Sequence, residues 1–245
     1  MRVTVLGGGG VWPEAGRACG GFLVEYDGFR LLVDPGFAVV PELLRWVGPG
    51  EVDAVFVTHG HPDHCADLNP LLRARALSGK PDVPLPVYAP AGAVDAVLAL
   101  DRVGMLAFEL CELRDRFAVG PFALETRLLP HSVTNAGVRL EAGGRVLAYT
   151  GDCGPDPEVV ALARGVDLFL AEATFVDQVP AGASGVLSSA RLAGRQCADA
   201  AAGRLVLTHL HPGTDPAASR AVAGEEYGGP VEVATELIGN GPIDL

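Results

Sequence analysis

The stretch that decides the fold is Thr58-His59-Gly60-His61-Pro62-Asp63-His64, which follows the apolar run Ala54-Val55-Phe56-Val57. On an extended backbone, residues two apart point the same way, so His59 and His61 can face one metal ion. Proline and an acidic residue are both favoured in the first turn of a helix, which places Pro62 and Asp63 there. Asp63 and His64 would then face a second metal a few ångströms away. The stretch predicts a strand, a ligand-bearing loop and a helix.

Three further residues of ligand type follow strand-like runs. His131 follows residues 122–129, Asp152 follows residues 145–149, and His209 follows residues 205–207. A single histidine in such a place is more often an ordinary core or surface residue. Three of the six histidines of the chain, however, lie in the first motif, and the same arrangement recurs at four strand ends. This repetition predicts metal binding.

The rest of the sequence alternates between strand-like and helical patterns. Alternating or continuous apolar runs predict strands at residues 2–6, 20–26, 29–33, 54–57, 86–89, 122–129, 136–141, 145–149, 168–170 and 205–207. Helical spacing predicts helices at residues 39–46, 63–77, 93–100 and 188–202. No repeat or linker divides the chain, so we expect a single α/β domain over residues 1–245, with sheet packed on sheet and helices outside.

The glycines Gly7-Gly8-Gly9-Gly10 follow the first strand, but they do not form the G-x-G-x-x-G pattern of a dinucleotide fold. We interpret them as a flexible turn at the rim of the site.

Composition narrows the classes of function. The net charge of −12 has the wrong sign for a protein whose main work is to hold nucleic acid, so a nucleic-acid partner is not expected. The local basic residues Arg73, Arg75 and Lys80 are expected to form a solvated helix face. No apolar run reaches the roughly 20 residues that span a bilayer, and the N-terminus does not resemble a signal peptide. These features predict a cytoplasmic protein with no membrane association.

The five cysteines are scattered and odd in number, which is typical of a reduced compartment rather than of a disulfide framework. Cys65 and Cys153 each follow a predicted metal ligand directly. We expect them to be packing residues, because the neighbouring histidines and aspartates already complete a site.

The ordered motifs resemble those of the metallo-β-lactamase superfamily. They are His-x-His-x-Asp-His at residues 59–64, then a histidine after a strand, then Thr150-Gly151-Asp152, then Thr208-His209. The resemblance implies a four-layer αβ/βα sandwich of two mixed sheets. It also implies that His59, His61 and His131 hold one metal, that Asp63, His64 and His209 hold the other, and that Asp152 bridges them. Asp34, in Leu32-Val33-Asp34-Pro35-Gly36, would support the site without binding metal.

Nitrogen and oxygen ligands favour zinc, and iron or manganese is also compatible. Two divalent metal ions would lower the pKa of a bridging water, so that a bridging hydroxide is available near neutral pH. Asp63 would accept a proton from that water. The expected reaction is therefore hydrolysis.

Within the superfamily, the segment Ala171-Glu172-Ala173-Thr174 resembles the His-Glu-Ala-Thr segment of ribonuclease Z, whose histidine helps to protonate the leaving group. Here Ala171 replaces that histidine, so Glu172 is a candidate acid or orienting group. His211 is a candidate to replace the missing proton donor, and it is equally a candidate loop residue. Ser132 and Thr134 are candidates to bind substrate, and Trp12 and Phe37 are candidates to stack on a base. Ordinary loop packing is the favoured interpretation for Trp12 and Phe37.

Ribonuclease Z also carries a long arm that grips tRNA, inserted between the positions of His131 and Asp152. The short segment between these residues has room for one hairpin and no arm. A small phosphodiester such as a cyclic nucleotide is therefore the preferred substrate. The alternatives are a thioester, lactone or amide hydrolase of the same fold, a tRNA 3′ endonuclease, and a non-catalytic metal-bound binding module. Relatives of this type are often homodimers, but no stretch identifies an interface.

Overall fold

Two mixed β-sheets form the centre of the protein in a computed structural model that describes residues 1–78 and 83–245. The strands are β1 (Arg2–Gly7), β2 (Gly21–Tyr26), β3 (Phe29–Val33), β4 (Ala54–Phe56), β5 (Leu85–Ala89), β6 (Phe108–Glu112), β7 (Arg116–Val119), β8 (Phe122–Leu129), β9 (Asn135–Ala142), β10 (Arg145–Tyr149), β11 (Leu168–Glu172), β12 (Leu205–Thr208), β13 (Val231–Val233) and β14 (Ile243–Asp244). The helices are α1 (Val39–Leu43), α2 (Pro62–Cys65), α3 (Leu68–Leu77), α4 (Asp95–Leu98), α5 (Pro157–Ala163), α6 (Ala190–Asp199), α7 (Pro216–Glu226) and α8 (Ala234–Leu237), with a 3₁₀ turn at Pro49–Glu51.

Each sheet has seven strands within the described residues. The first sheet has the order β14-β1-β2-β3-β4-β5-β6, and the second has the order β13-β12-β11-β10-β9-β8-β7. In the first sheet the pairs from β3 to β6 are parallel, and in the second the pairs from β10 to β13 are parallel. The remaining pairs are antiparallel. The predicted mixed sheets are therefore confirmed.

Three apolar layers hold these sheets and helices together. The central layer lies between the sheets and contains Phe22, Phe56, Phe122 and Tyr149. A second layer packs α5 and α6 on the outer face of the second sheet, and a third packs α1 and α3 on the outer face of the first sheet. Burial of alternate side chains on both faces of each sheet produces this arrangement. The four-layer α/β sandwich that the sequence predicts is confirmed.

Several elements differ from the sequence prediction. The helix predicted at residues 63–77 is divided into α2 and α3, and the helix predicted at residues 39–46 is only α1. The strands β6 and β7 and the helix α5 are not among the predicted elements. β6 and β7 form the outer edges of their sheets, and their many exposed side chains weaken the apolar pattern.

The predicted solvated face with Arg73, Arg75 and Lys80 is wrong for Arg75. Its side chain is buried and donates hydrogen bonds to the carbonyl oxygens of Pro49 and Val52 at 3.0 and 2.7 Å. Arg75 therefore ties α3 to the 3₁₀ turn, and the long side chain that could reach solvent instead satisfies buried carbonyl groups. Lys80 lies outside the described residues. None of the helices in the described part of the chain is long and apolar enough to cross a membrane.

Candidate metal centre

The ligand-type residues all lie where strands end at one edge of the sandwich. His59 follows β4, His131 follows β8, Asp152 follows β10 and His209 follows β12. His61 has extended backbone (φ −70°, ψ 142°) and precedes α2, whose first residue is Pro62. Because proline fits the first helical position, the chain turns into α2 directly after His61 and presents Asp63 and His64 towards the same edge.

Two groups of potential ligand atoms meet at this edge. The first comprises His59, His61, His131 and Asp152, and the second comprises Asp63, His64, Asp152 and His209. Within each group the potential ligand atoms lie within 4.8 Å of one another. Asp152 belongs to both groups. The structure thus brings together the seven residues that the sequence nominated as ligands, in the two sets that the family resemblance implies.

The distances agree with a pair of adjacent metal positions. In the first group, Nδ1 of His61 lies 3.1 Å from Nε2 of His59 and 3.0 Å from Nε2 of His131. In the second group, Nε2 of His209 lies 3.1 Å from Oδ2 of Asp63. Asp152 approaches both groups, because its Oδ2 lies 3.8 Å from Nε2 of His59 and its Oδ1 lies 3.2 Å from Nε2 of His64.

The polar atoms of His64 and Asp152 test whether metal ions fit here. Nε2 of His64 and Oδ1 of Asp152 are buried and lie 3.2 Å from each other, but among the described residues neither atom makes a well-formed hydrogen bond. Buried polar atoms are nearly always paired, because an unpaired one costs free energy. Both orphaned atoms face the shared cluster of nitrogen and oxygen donors, which is the donor set that zinc and related metals prefer. The residues present therefore fit divalent metal ions.

Electrostatics favours the metal-binding forms of His59 and Asp63, whereas metal must displace a proton from His64. Burial opposes protonation of His64, but the carboxylates of Asp152 and Asp34 raise its pKa well above the usual value. Burial and the neighbouring His64 lower the pKa of His59 to about 2, so its imidazole is neutral, as a metal ligand must be. Burial opposes ionisation of Asp63, but the hydrogen bond with His209 and the charge of His64 hold the pKa of this carboxyl well below its usual range. Asp63 is therefore an anion that can balance a bound cation.

Asp34 supports the second group from behind. Its Oδ2 accepts hydrogen bonds from Nδ1 of His64 at 2.7 Å, from Oγ1 of Thr58 at 2.7 Å and from the hydroxyl of Tyr149 at 2.9 Å. Its Oδ1 accepts the backbone N–H of Thr58 at 2.7 Å. A proton on Nδ1 of His64 leaves Nε2 free to bind metal. Burial and the nearby Asp34 raise the pKa of Tyr149 well above its usual value, so its hydroxyl stays a donor.

Two loops hold ligands through backbone groups. The backbone N–H of Val11 donates to Oδ2 of Asp63 at 2.8 Å, and Nδ1 of His131 lies 2.8 Å from the carbonyl oxygen of Val186. The sequence predicts neither contact, because any residue type can supply a backbone group. The sequence does not predict the role of Tyr149 either, because its hydroxyl lies at the end of a mostly apolar strand.

The glycines after β1 are closely packed rather than a flexible turn. A Cβ at Gly10 would lie 2.6 Å from the ring of His209, and a Cβ at Gly8 would lie 2.4 Å from Cβ of Ala234. The backbone N–H of Gly10 also donates to the carbonyl oxygen of Leu210 at 2.9 Å. The absence of side chains lets this segment lie against the ligand His209.

A cleft of about 380 Å³ opens above the ligand cluster. Its floor consists of ligand side chains, and its walls are mostly apolar. The lining residues are Val11, His61, Pro62, Asp63, His131, Ser132, Asp152, Val186, Leu187 and His209. Its volume is in the usual range for a small-molecule site.

Comparison with known proteins agrees with this geometry. Residues 29–210 match the family described as Beta-lactamase superfamily domain. The chain belongs to the β-lactamase superfamily of metallo-hydrolases. Over 213 residues it is 31% identical to the protein named Probable metallo-hydrolase YhfI of Bacillus subtilis, with 86% of this chain and 87% of that protein covered. The crystal structure of YhfI superposes with a TM-score of 0.86 at 29% identity, covering 96% of this chain and 95% of YhfI.

Ribonuclease Z is a further relative within the superfamily. The enzyme of Myxococcus xanthus is 30% identical over 293 residues, covering 96% of this chain and 95% of the relative. A crystal structure of a diphosphatase from the PhnP family superposes with a TM-score of 0.75 at 19% identity, covering 100% of this chain and 97% of that one. This second similarity concerns the fold alone.

Glu172 lies behind the ligand cluster, outside the cleft. Its side chain is buried, and its Oε1 accepts the hydroxyl of Thr174 at 2.5 Å, while Oγ1 of Thr174 lies 2.8 Å from Nδ1 of His209. Its Oε2 accepts the backbone N–H of Cys153 at 3.2 Å. Burial and the nearby Asp152 raise the pKa of Glu172 to about 7. Of the two roles predicted for Glu172, this position suits the orienting one.

His211 lies at the rim and does not contribute to the cleft lining described above. It is exposed, its Nδ1 lies 3.0 Å from the carbonyl oxygen of Pro212, and its ring meets the exposed ring of Trp12 edge-on at 5.4 Å. Of the remaining candidates, Ser132 lines the cleft, with its Oγ 3.5 Å from Nε2 of His61.

Thr134 and Phe37 are not part of that lining, and the two cysteines beside ligands are buried. Burial raises the pKa of Cys65 to about 11 and that of Cys153 well above its usual value. Their thiols are therefore protonated and pack in the two outer apolar layers.

Proposed function

We propose that this protein is a phosphodiesterase that hydrolyses small phosphodiesters, such as cyclic nucleotides, with two divalent metal ions. The observation that carries the proposal is the pair of ligand groups that share Asp152 at the floor of a small cleft. His59, His61 and His131 would hold one ion, Asp63, His64 and His209 the other, and Asp152 both. Zinc is the favoured metal because the donors are imidazole nitrogens and carboxylate oxygens, and iron and manganese are compatible.

Bound divalent ions lower the pKa of water and stabilise the negative charge that develops on phosphoryl oxygens. The protein supplies the proton acceptor and its orientation. Oδ2 of Asp63 lines the cleft, is held by the N–H of Val11 at 2.8 Å, and is anionic. Asp63 is therefore placed to accept the proton of an attacking water. His211, whose ring lies against Trp12 next to the cleft residue Val11, is the proposed donor to the leaving group.

We infer a small phosphodiester substrate from the chain length and the net charge, which both argue against the long RNA substrate of ribonuclease Z. The similarity to the Myxococcus xanthus enzyme extends over 293 residues, whereas this chain has 245, so the relative contains inserted residues. Here the segment between His131 and Asp152 is the hairpin of β9 and β10. The net charge of −12 also opposes binding to a long polyanion. These features support hydrolysis of a phosphodiester, as in ribonuclease Z, but of a small substrate that does not require a tRNA-binding arm.

The test is an activity assay with metal analysis of the same purified sample. The substrates are bis(p-nitrophenyl) phosphate and the 2′,3′- and 3′,5′-cyclic nucleotides, and a p-nitrophenyl ester and a lactone serve as controls. We expect hydrolysis of the diesters by protein that holds about two metal ions per chain. Cleavage of only the ester or the lactone would reject the phosphodiesterase proposal in favour of acyl-transfer hydrolysis.

A further inference from the structure

The cleft above the ligand cluster has a polar floor and apolar walls. The ligands His61, Asp63, His131, Asp152 and His209 form the floor. The apolar lining is Val11 and Pro62, next to the second ligand group, and Val186 and Leu187, next to the first. An anionic group on the floor would therefore have apolar side chains directly beside it.

The walls are fixed in place by the ligands themselves. Val11 uses its backbone N–H to hold Asp63, in the second ligand group, and Val186 uses its carbonyl oxygen to hold His131, in the first. Val11 adopts a left-handed backbone (φ 68°), which is unfavourable for a β-branched residue and persists only where its surroundings enforce it. Val11 and Val186 are thus each anchored to one ligand group, and both line the cleft.

The described lining of the cleft offers no lysine or arginine side chain to a second anionic group. A second phosphate beside the floor would lose water without gaining a cation, which opposes its binding. The lining instead fits an uncharged, apolar face next to a single negative charge.

We propose that the cleft selects substrates with one anionic centre flanked by an uncharged apolar face, with that face held against the apolar lining of Val11, Val186 and Leu187. In a cyclic mononucleotide the phosphodiester provides the single charge and the nucleobase provides the flat face. Diesters with a further phosphate, including polyphosphates and nucleic-acid strands, are poor substrates. This inference depends on the phosphodiesterase function proposed above and names its substrate class.

Three diesters with the same p-nitrophenolate leaving group test it. They are ethyl p-nitrophenyl phosphate, thymidine 5′-(p-nitrophenyl phosphate) and the thymidine ester with an additional 3′-phosphate. We expect kcat/KM for the thymidine ester to exceed that for the ethyl ester by about tenfold or more, because the base is buried against the walls. The additional 3′-phosphate should remove that advantage.

Leu187→Ser tests the wall without disturbing a known ligand contact. In this variant, the ratio of kcat/KM for the thymidine ester to kcat/KM for the ethyl ester should fall by about fivefold or more, and the metal content should be unchanged. The matched control is Leu100→Ser, which changes a leucine that is 67% exposed and does not line the cleft. Equal kcat/KM for the ethyl and thymidine esters, or a preference for the 3′-phosphate, would overturn the inference alone. If none of the diesters is cleaved by metal-loaded protein, the proposed function fails, and this inference fails with it.

Discussion

Asp34 holds His64 through a hydrogen bond of 2.7 Å between Oδ2 and Nδ1, and the same oxygen accepts the hydroxyl of Tyr149. Asp34 follows β3 of the first sheet, whereas Tyr149 lies in β10 of the second. One buried carboxylate therefore connects the two sheets and orients a ligand that belongs to the second group. The alignment of the two halves of the ligand cluster depends on this contact.

Replacement of Asp34 by asparagine should weaken metal binding. An amide cannot accept from all four donors that surround Asp34, so His64 loses its fixed orientation. We expect metal affinity to fall by about 10–100-fold, as is typical when a partner of a ligand histidine is lost. Competition with a chromogenic chelator measures the metal affinity of the variant. Tyr149→Phe, which removes one donor and keeps the ring, is the matched milder variant and should cost about 1 kcal/mol of stability. An Asp34→Asn protein with wild-type metal affinity would contradict this role.

Loss of a ligand should remove activity and metal together. His61→Ala and Asp152→Ala each delete a ligand, and Asp152 belongs to both groups, so its loss should lower the metal content more. We expect folded, metal-poor proteins with no measurable diester hydrolysis. Elemental analysis and circular dichroism of the same samples check this. Asp199→Ala, which changes an exposed aspartate of α6, is the control and should keep full activity. Wild-type activity in either ligand variant would refute the assignment.

The sequence predicts the floor of the site better than its walls. His59, His61 and Asp63 are identifiable because few chemistries require these residue types at such spacing after a buried strand. Val11 and Val186 carry no such signal, since a backbone N–H or carbonyl is common to nearly every residue. Their contacts depend on how the loops return to the cluster, which follows from tertiary packing.

The accuracy of the predicted secondary structure also depends on how each strand is packed. The strands β3 and β10 are predicted with the bounds that the structure has, because continuous apolar runs fill both faces of a covered sheet. β6 and β7 are missed, because an edge strand exposes one side and loses the periodic pattern. Arg75 is misplaced, because sequence alone does not reveal the unpaired carbonyl groups of the 3₁₀ turn to which it donates.

Variants of Glu172 distinguish its two candidate roles. Glutamine keeps an oxygen acceptor for Thr174 but cannot donate a carboxyl proton, so Glu172→Gln should retain activity within about tenfold if Glu172 only orients His209 through Thr174. Glu172→Ala leaves the hydroxyl of Thr174 and the N–H of Cys153 without their acceptor and should cost about 1–3 kcal/mol of stability. The pH dependence of kcat is measured for both. A loss of 100-fold or more in Glu172→Gln, on the order expected for a general acid, would assign proton donation instead.

Removal of metal should lower thermal stability. Ions that bind only the folded chain stabilise it by about 4 kcal/mol at a thousandfold excess over Kd, which for a chain of this size is about 10 °C in Tm. We expect Tm to fall by this amount in excess chelator and to recover with Zn²⁺. Mg²⁺ should not restore it, because Mg²⁺ prefers oxygen ligands and five of the seven ligand residues are histidines. Differential scanning fluorimetry measures the shift, and an unchanged Tm in both wild type and Asp152→Ala would argue against bound metal.

Gly154 lies against the loop that orients His131. A Cβ at Gly154 would lie 2.3 Å from the carbonyl oxygen of Gly185, so Gly154→Ala must displace the backbone next to Val186. Because the carbonyl oxygen of Val186 holds Nδ1 of His131, this displacement should lower metal affinity and kcat/KM by about tenfold or more. Gly182→Ala is the matched control, since a Cβ there meets no atom within 4 Å among the described residues. Chelator competition and diester assays on both variants test the coupling. If Gly154→Ala is folded and binds metal as tightly as Gly182→Ala, the loop does not position His131.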